Sequence, residues 1–117
     1  MQTNIENQIV EAIQDKKGKK IAIIDFSGIE TAPSEKFIIC EGNSTSQVSA
    51  LADSVRDSLE KNLHLKAYNY DGYKNSQWIV IDYGNVMVHV FLKDIRNFYN
   101  LEELWNDGTI SMLEDLD

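Results

Sequence analysis

The chain of 117 residues has only one cysteine and one proline. Cys40 alone can form neither an internal disulfide nor a zinc site built from cysteines. Its longest apolar runs, such as residues 21–24, fall far short of the roughly 20 residues that a membrane-spanning helix needs. The N-terminal residues lack the basic stretch followed by an apolar stretch that marks an export signal. We therefore expect a cytoplasmic protein that is not embedded in a membrane.

Basic residues are also scarce, with 11 Lys and Arg against 19 Asp and Glu, so the formal net charge is −8. No Lys or Arg follows Arg96, whereas six carboxylates do. Such a surface repels phosphate backbones, which disfavours sequence-specific binding to nucleic acid. A basic protein partner is favoured instead, because complementary charges speed encounter and select partners.

The periodicity of the apolar residues predicts one mixed α/β domain over residues 1–107, followed by an acidic tail over residues 108–117. Helices are expected at residues 3–15 and from Ser44 to about residue 62, the second beginning with a Ser44–Gln47 capping box. Short helical segments are expected at residues 94–97 and 100–106. Strands are expected at residues 21–26, 36–41 and 65–70 and in a hairpin over residues 77–92. The prediction is a sheet of about five strands with the helices packed on one face.

The hairpin is the most informative segment because its turn fixes its register. Gly84–Asn85 suits a two-residue turn, since glycine accepts the positive φ that such a turn requires. The turn sets Ile81 opposite Val88, and the other cross-strand pairs follow from it. Because side chains alternate along a strand, one face is purely aliphatic and suited to lie under helices. The opposite face mixes aromatic and polar side chains: Trp78, Val80, Asp82, Met87, His89 and Phe91.

Aromatic residues are concentrated in the second half of the chain, where nine of the eleven follow residue 67. A domain of this size already has a core face, so the additional aromatic face predicts a contact surface anchored by Trp and Tyr. The alternative is that the C-terminal helices fold back and cover this face.

Three candidate sites for binding or catalysis have less support in the sequence than the aromatic face has. Residues 42–44 join a strand to a helix and could hold an anion at the helix start, although a plain capped helix explains them equally. Asp25 and Asp82 could hold metal ions for nucleotidyl transfer if their strands were neighbours. His89 could pair with Asp82 as an acid/base unit, but no nucleophile lies beside it. An enzyme using Asp25, Asp82 and the 42–44 turn is the alternative to a binding protein.

Two stretches resemble a known family. The first is Trp78-Ile-Val-Ile-Asp-Tyr-Gly-Asn-Val-Met-Val-His-Val-Phe91, followed by Arg96-x-Phe-Tyr-x-Leu-Glu-x-Leu-Trp105. The second is Phe37-Ile-Ile-Cys-x-Gly-x-Ser-x-x-Gln-Val48 and the helix that follows. These motifs are similar to those of the Iojap family, the ribosome silencing factors, and the resemblance covers about residues 4–106.

The resemblance implies a domain similar in topology to nucleotidyltransferases but without catalysis, cofactor or metal. It also implies a homodimer that binds the large ribosomal subunit through its protein number fourteen and blocks joining of the small subunit when nutrients are short. A further alternative is an adaptor for another basic protein, which would use the same acidic and aromatic surface. The expected docking residues are Trp78, Val80, Asp82, Met87, His89 and Phe91, with Arg96 and Tyr99 at the margin. Packing of the C-terminal helix, or a dimer contact, is assigned to Leu101, Leu104 and Trp105.

Overall fold

The computed structural model describes the backbone of residues 2–115 and the side chains of residues 5–115. Within residues 2–115, four helices and six strands follow one another. They are α1 (Gln2–Asp15), β1 (Lys19–Asp25), β2 (Lys36–Gly42), α2 (Thr45–Leu63), β3 (Asn69–Asp71), β4 (Trp78–Asp82), β5 (Val86–Leu92), α3 (Lys93–Tyr99), α4 (Leu101–Leu104) and β6 (Thr109–Met112). None of the helices in the described part of the chain combines the length and the apolar character that a bilayer-spanning helix needs.

The six strands form one mixed sheet in the order β3-β4-β5-β2-β1-β6. Neighbouring strands are antiparallel except for β2 and β5, which run parallel. The predicted mixed α/β class is confirmed. The sheet has one more strand than expected, because residues 109–112 of the predicted tail pair with β1. The strand predicted at residues 65–70 is reduced to Asn69–Asp71.

The two long helices pack on one face of the sheet, which we call the helix-covered face. The buried side of α2 is the predicted one, formed by Val48, Leu51, Ala52, Val55 and Leu59. These residues pack with Ile9 and Ile13 of α1 and with the aliphatic side of the hairpin. Burial of this continuous apolar layer is the main favourable contribution to folding.

The start of α2 has the predicted capping box. The Ser44 hydroxyl accepts a hydrogen bond from the main-chain N–H of Gln47 at 3.1 Å. The Gln47 side chain in turn accepts one from the main-chain N–H of Asn43 at 2.8 Å. Two N–H groups that could have held an anion at this turn are therefore already bonded, as in a plain capped helix.

The hairpin register is as predicted from its turn. Ile81 pairs with Val88, Val80 with His89 and Trp78 with Phe91. Gly84 has a φ of +83°, which glycine adopts without the strain that a side chain would add. This register places the aliphatic side of the hairpin against α1 and α2.

The helices do not all lie on one face, contrary to the prediction. Leu101 at the start of α4 and Ile95 of α3 pack in a second apolar cluster, with Ala22 and Ile24 of β1. Those strand residues alternate with the ones that face α1 and α2, so α3 and α4 lie against the opposite side of the sheet.

Candidate partner-binding site

The side of the sheet opposite α1 and α2, which we call the second face, is the candidate site. Strand alternation and the observed registers assign its residues. They are Trp78, Val80 and Asp82 of β4; Met87, His89 and Phe91 of β5; Phe37, Ile39 and Glu41 of β2; Ala22 and Ile24 of β1; and Ile110 and Met112 of β6.

The C-terminal helices cover one half of the second face. Leu101 is buried over β1 and β2, together with Phe37. The Trp105 ring lies edge-on to Phe26, with centroids 5.4 Å apart, and edge-on to Phe37 at 6.0 Å. Such edge contacts add to the gain from burial alone. The predicted packing roles of Leu101 and Trp105 agree with these contacts.

The other half, over β4, carries a ladder of aromatic rings that leads from the sheet to the surface. The half-buried Trp78 stacks on the buried Phe91, with centroids 5.0 Å apart. Tyr99 packs on Trp78 at 4.7 Å, and Phe98 lies edge-on to Tyr99 at 5.3 Å. Tyr99 is 47% exposed and Phe98 is 79% exposed. We call Trp78, Phe98 and Tyr99 the aromatic patch.

Phe98 was missed by the sequence analysis, which singled out only Tyr99 from this pair. A signal was present, because two adjacent residues on a helix point about 100° apart. Phe98 and Tyr99 end the seven-residue helix α3, so they cannot both turn toward the sheet. A large apolar side chain left this exposed beside other aromatic rings is typical of a contact surface.

Three of the predicted docking residues are buried, so the expectation that they offer free surface is wrong. Phe91 lies beneath Trp78, and His89 lies beside Phe37, with ring centroids 4.4 Å apart. Burial penalises the charged imidazole and lowers the pKa of His89 to about 4. The third residue, Arg96, is held inside an ion-pair network.

Arg96 joins α3 to the sheet and to α4. Its guanidinium donates to the Glu41 carboxylate at 3.2 Å and to the Glu102 carboxylate at 2.6 Å. It also donates to the main-chain oxygen of Lys20 at 2.5 Å. A buried charge needs such partners, so Arg96 serves to anchor the helix that carries the aromatic patch.

Val80, Asp82 and Met87, the remaining predicted docking residues on the sheet, are half-buried. Asp82 accepts a hydrogen bond from the main-chain N–H of Gly84 at 2.7 Å and so supports the hairpin turn. His89 Nδ1 instead accepts from the Trp78 indole at 3.1 Å. The proposed His89–Asp82 acid/base unit is therefore not formed.

The strand order contradicts the two-carboxylate site of the enzyme alternative. Asp25 ends β1 and Asp82 ends β4, and β2 and β5 lie between these strands. Three strand spacings amount to about 14 Å, whereas two-metal catalysis needs ions about 4 Å apart. Asp25 is also bonded locally, and the hydrogen bond from the Ser27 hydroxyl at 2.6 Å lowers its pKa.

Leu104 was assigned to packing of the C-terminal helix or to a dimer contact, and within the chain it is not buried. It is 69% exposed, whereas Leu101, one turn earlier in α4, is buried. Of the two leucines that bound α4, only Leu101 is covered. Leu104 is thus available for contact with another molecule.

The placement of the possible metal ligands and of the single cysteine is as follows. Among residues 5–115, no three His, Cys, Asp or Glu side chains converge where a metal ion could sit. Cys40 is fully buried in β2, and burial raises the pKa of its thiol to about 12. A thiol in that state is a packing group rather than a nucleophile.

Comparisons of the sequence and of the fold with known proteins both indicate one family. The family model described as "Ribosomal silencing factor during starvation" matches residues 2–117. The ribosomal silencing factor of Halalkalibacterium halodurans is 40% identical over 106 residues, which cover 90% of this chain and 88% of the relative. That of Bacillus subtilis is 38% identical over 103 residues, covering 88% and 86%.

The fold is shared as well. The crystal structure of protein CV0518 from Chromobacterium violaceum superimposes with a TM-score of 0.83 at 36% identity, covering 89% of this chain and 85% of that one. The residues matched by the family model include β6. With a family model matching from α1 to the last residue and relatives this similar in sequence, the chain belongs to the ribosomal silencing factor family.

Proposed function

We propose that this protein binds the large ribosomal subunit in the cytoplasm and sterically blocks joining of the small subunit, which represses translation when nutrients are short. Membership of the silencing factor family supports the ribosome as partner. The main support for the proposed docking site is the aromatic patch, in which Tyr99 and Phe98 extend a stack built on Trp78 into solvent. Rigid aromatic side chains of this kind contribute most of the binding energy in many interfaces.

The proposed contact on the subunit is its protein number fourteen. A net charge of −8 makes this chain a poor ligand for exposed ribosomal RNA and a good one for a basic protein surface. The partly exposed carboxylate of Asp82 and the half-buried side chains of Val80 and Met87 would extend the contact from the aromatic patch across β4 and β5.

We further propose that two copies associate in the absence of ribosomes. Leu104 offers exposed apolar surface on α4, which a second copy of the chain would cover.

Subunit joining on a sucrose gradient tests the proposal. Purified small and large subunits are mixed with and without the protein, and the fraction of joined ribosomes is measured together with the position of the protein. We expect the protein to sediment with large subunits and to reduce joining in proportion to its occupancy. Absence from the large-subunit fraction would refute binding, and full joining at saturating protein would refute the steric block.

A further inference from the structure

The outer edge of the sheet at β6 is an open strand edge. β6 pairs with β1 on one side, and no other strand among residues 2–115 pairs with it on the other. All four of its residues are exposed. An open edge presents unpaired N–H and C=O groups that can hydrogen-bond to another extended segment.

The pairing with β1 shows which backbone groups are free. The main-chain N–H of Leu113 donates to the oxygen of Ile21 at 2.9 Å. In an antiparallel pair, the N–H and C=O groups of successive residues point alternately toward the neighbouring strand and away from it. The main-chain groups of Thr109 and Ser111 therefore point toward β1, and those of Ile110 and Met112 point outward.

The side chains of this edge favour contact rather than protection. Ile110 and Met112 lie on the second face, and Met112 is 58% exposed. Lys or Pro on the edge is one of the devices by which soluble proteins protect an edge strand. Neither residue occurs after Arg96, so this device is absent from β6.

The charge around the edge indicates what it binds. Four carboxylates flank β6 or its neighbour: Asp25, Asp107, Glu114 and Asp115. Cations lie beside two of them. Lys36 is the cross-strand partner of Asp25, and Lys20, next to Lys19 at the start of β1, donates its main-chain N–H to the Asp115 carboxylate. The carboxylates outnumber the cations, so a basic segment is attracted.

Charge disfavours a second copy of the chain at this edge in the register centred on Ser111. Two β6 strands paired antiparallel about Ser111 would set Asp107 of one copy opposite Asp115 of the other at both ends. Like charges opposite one another destabilise a strand pair.

We propose that β6 accepts an extended, Lys- or Arg-rich protein segment of the ribosomal partner as a seventh strand, hydrogen-bonded to Ile110 and Met112. This inference rests on the proposed function and adds to it a second contact, at the opposite edge of the sheet from β3. Main-chain bonds would supply affinity there, and the flanking carboxylates would supply selectivity.

Amide exchange combined with a proline substitution tests the inference. Exchange at residues 109–112 is measured for the protein alone and bound to purified large subunits. Met112→Pro removes an outward N–H that does not bond to β1, and proline is tolerated at such edge positions. Met112→Ala is the matched control, because it shortens the same side chain and keeps the N–H. An unchanged melting temperature shows that the variants are folded.

We expect large subunits to slow exchange at Ile110 and Met112, and Met112→Pro to bind about tenfold more weakly than Met112→Ala, which corresponds to about 1.4 kcal/mol. Binding of the wild-type protein with unchanged exchange at β6, or equal affinity of the two variants, would overturn the seventh strand and leave the proposed function intact. Slower exchange at β6 in concentrated protein without subunits would indicate a second copy instead. Failure of the wild-type protein to bind subunits would overturn both proposals.

Discussion

The indole N–H of Trp78 donates a hydrogen bond to Nδ1 of His89 at 3.1 Å, diagonally across β4 and β5. Because Nδ1 is the acceptor, the neutral ring carries its proton on Nε2. That Nε2 atom is buried and has no partner among the described residues. Protonation of Nδ1 would remove the acceptor of Trp78, so the charge state of His89 is coupled to the base of the aromatic patch.

This coupling predicts a loss of stability in mild acid. The pKa of His89 is about 4 in the folded protein, below its ordinary value of 6.5, because burial disfavours the charged ring. The unfolded chain therefore binds more protons between these values, so the stability from the neutral ring is full above pH 6.5 and is lost as the pH falls toward 4. We expect the free energy of unfolding to fall by up to about 3 kcal/mol over this range.

Denaturant unfolding at several pH values measures this effect. His89→Gln should show a clearly smaller loss between pH 7 and pH 4 than the wild type. His64→Gln removes the other, exposed histidine and should follow the wild-type curve. Parallel pH curves for wild type and His89→Gln would contradict the assignment to His89.

The aromatic patch predicts a binding defect without a folding defect. Phe98→Ala and Tyr99→Ala remove exposed rings, so each should leave the melting temperature close to that of the wild type. If these rings anchor the contact, the double variant should lose at least about 2 kcal/mol of binding energy, or about 30-fold in affinity for large subunits. Co-sedimentation over a range of subunit concentrations gives the affinity.

Tyr68→Ala is the control for the patch. Tyr68 is also an exposed aromatic residue, at 78%, but it lies near the Gly84 turn, away from α3. It should bind as the wild type does. An equal loss in both variants would show that the effect is a general one of removing exposed rings.

The Arg96 network predicts the opposite pattern, a large loss of stability. Arg96→Met would leave the nearly buried Glu41 carboxylate without its cation, and the Arg96 and Glu41 side chains are only 6% and 9% exposed. Removing one partner of a buried ion pair typically costs about 3–5 kcal/mol. Chemical denaturation should show this cost, together with weaker subunit binding because α3 loses its anchor.

A second substitution distinguishes loss of charge balance from loss of packing. The double variant Arg96→Met with Glu41→Gln removes both charges, so it should be more stable than Arg96→Met alone. If the double variant were as unstable as the sum of its single substitutions, the two side chains would not be coupled.

The sequence alone was sufficient to predict those features of the fold that neighbouring residues determine. The Gly84–Asn85 turn specified every cross-strand pair of the hairpin, because a two-residue loop leaves one register. The Ser44–Gln47 cap and the buried stripe of α2 were predictable for the same reason. Local patterns do not give the order of strands in the sheet, so the separation of Asp25 from Asp82 emerged only from the fold.

The errors arose where distant parts of the chain meet. β6 is four residues long, is flanked by acidic residues and gains its hydrogen bonds from β1, more than 80 residues earlier in sequence, so it resembled a tail. The second face was predicted as either exposed or covered. It is divided instead, because Leu101 and Trp105 cover β1 and β2 while α3 ends beside Trp78. Composition alone cannot place that boundary.

Gly72, in the loop before β4, lies close to the main chain of Trp78 and is expected to support the position of the aromatic patch. Its φ is +108°, and a Cβ at this position would clash with the main-chain oxygen of Trp78. Gly72→Ala should therefore add backbone strain and displace the first residue of β4. We expect a loss of more than about 2 kcal/mol in the free energy of unfolding, since strain alone costs about 1–2 kcal/mol. Binding to large subunits should weaken as well, because Trp78 carries Tyr99.

Gly28→Ala separates the clash from the strain. Gly28 also has a positive φ, of +84°, but a Cβ there would meet nothing within 4 Å. It should cost only the backbone strain of about 1–2 kcal/mol and leave subunit binding unchanged. Equal destabilisation by the two substitutions, with Trp78 fluorescence unaltered in Gly72→Ala, would show that the Trp78 backbone does not depend on the close approach of Gly72. A selective loss in Gly72→Ala would instead identify this contact as the support that sets the position of the aromatic patch.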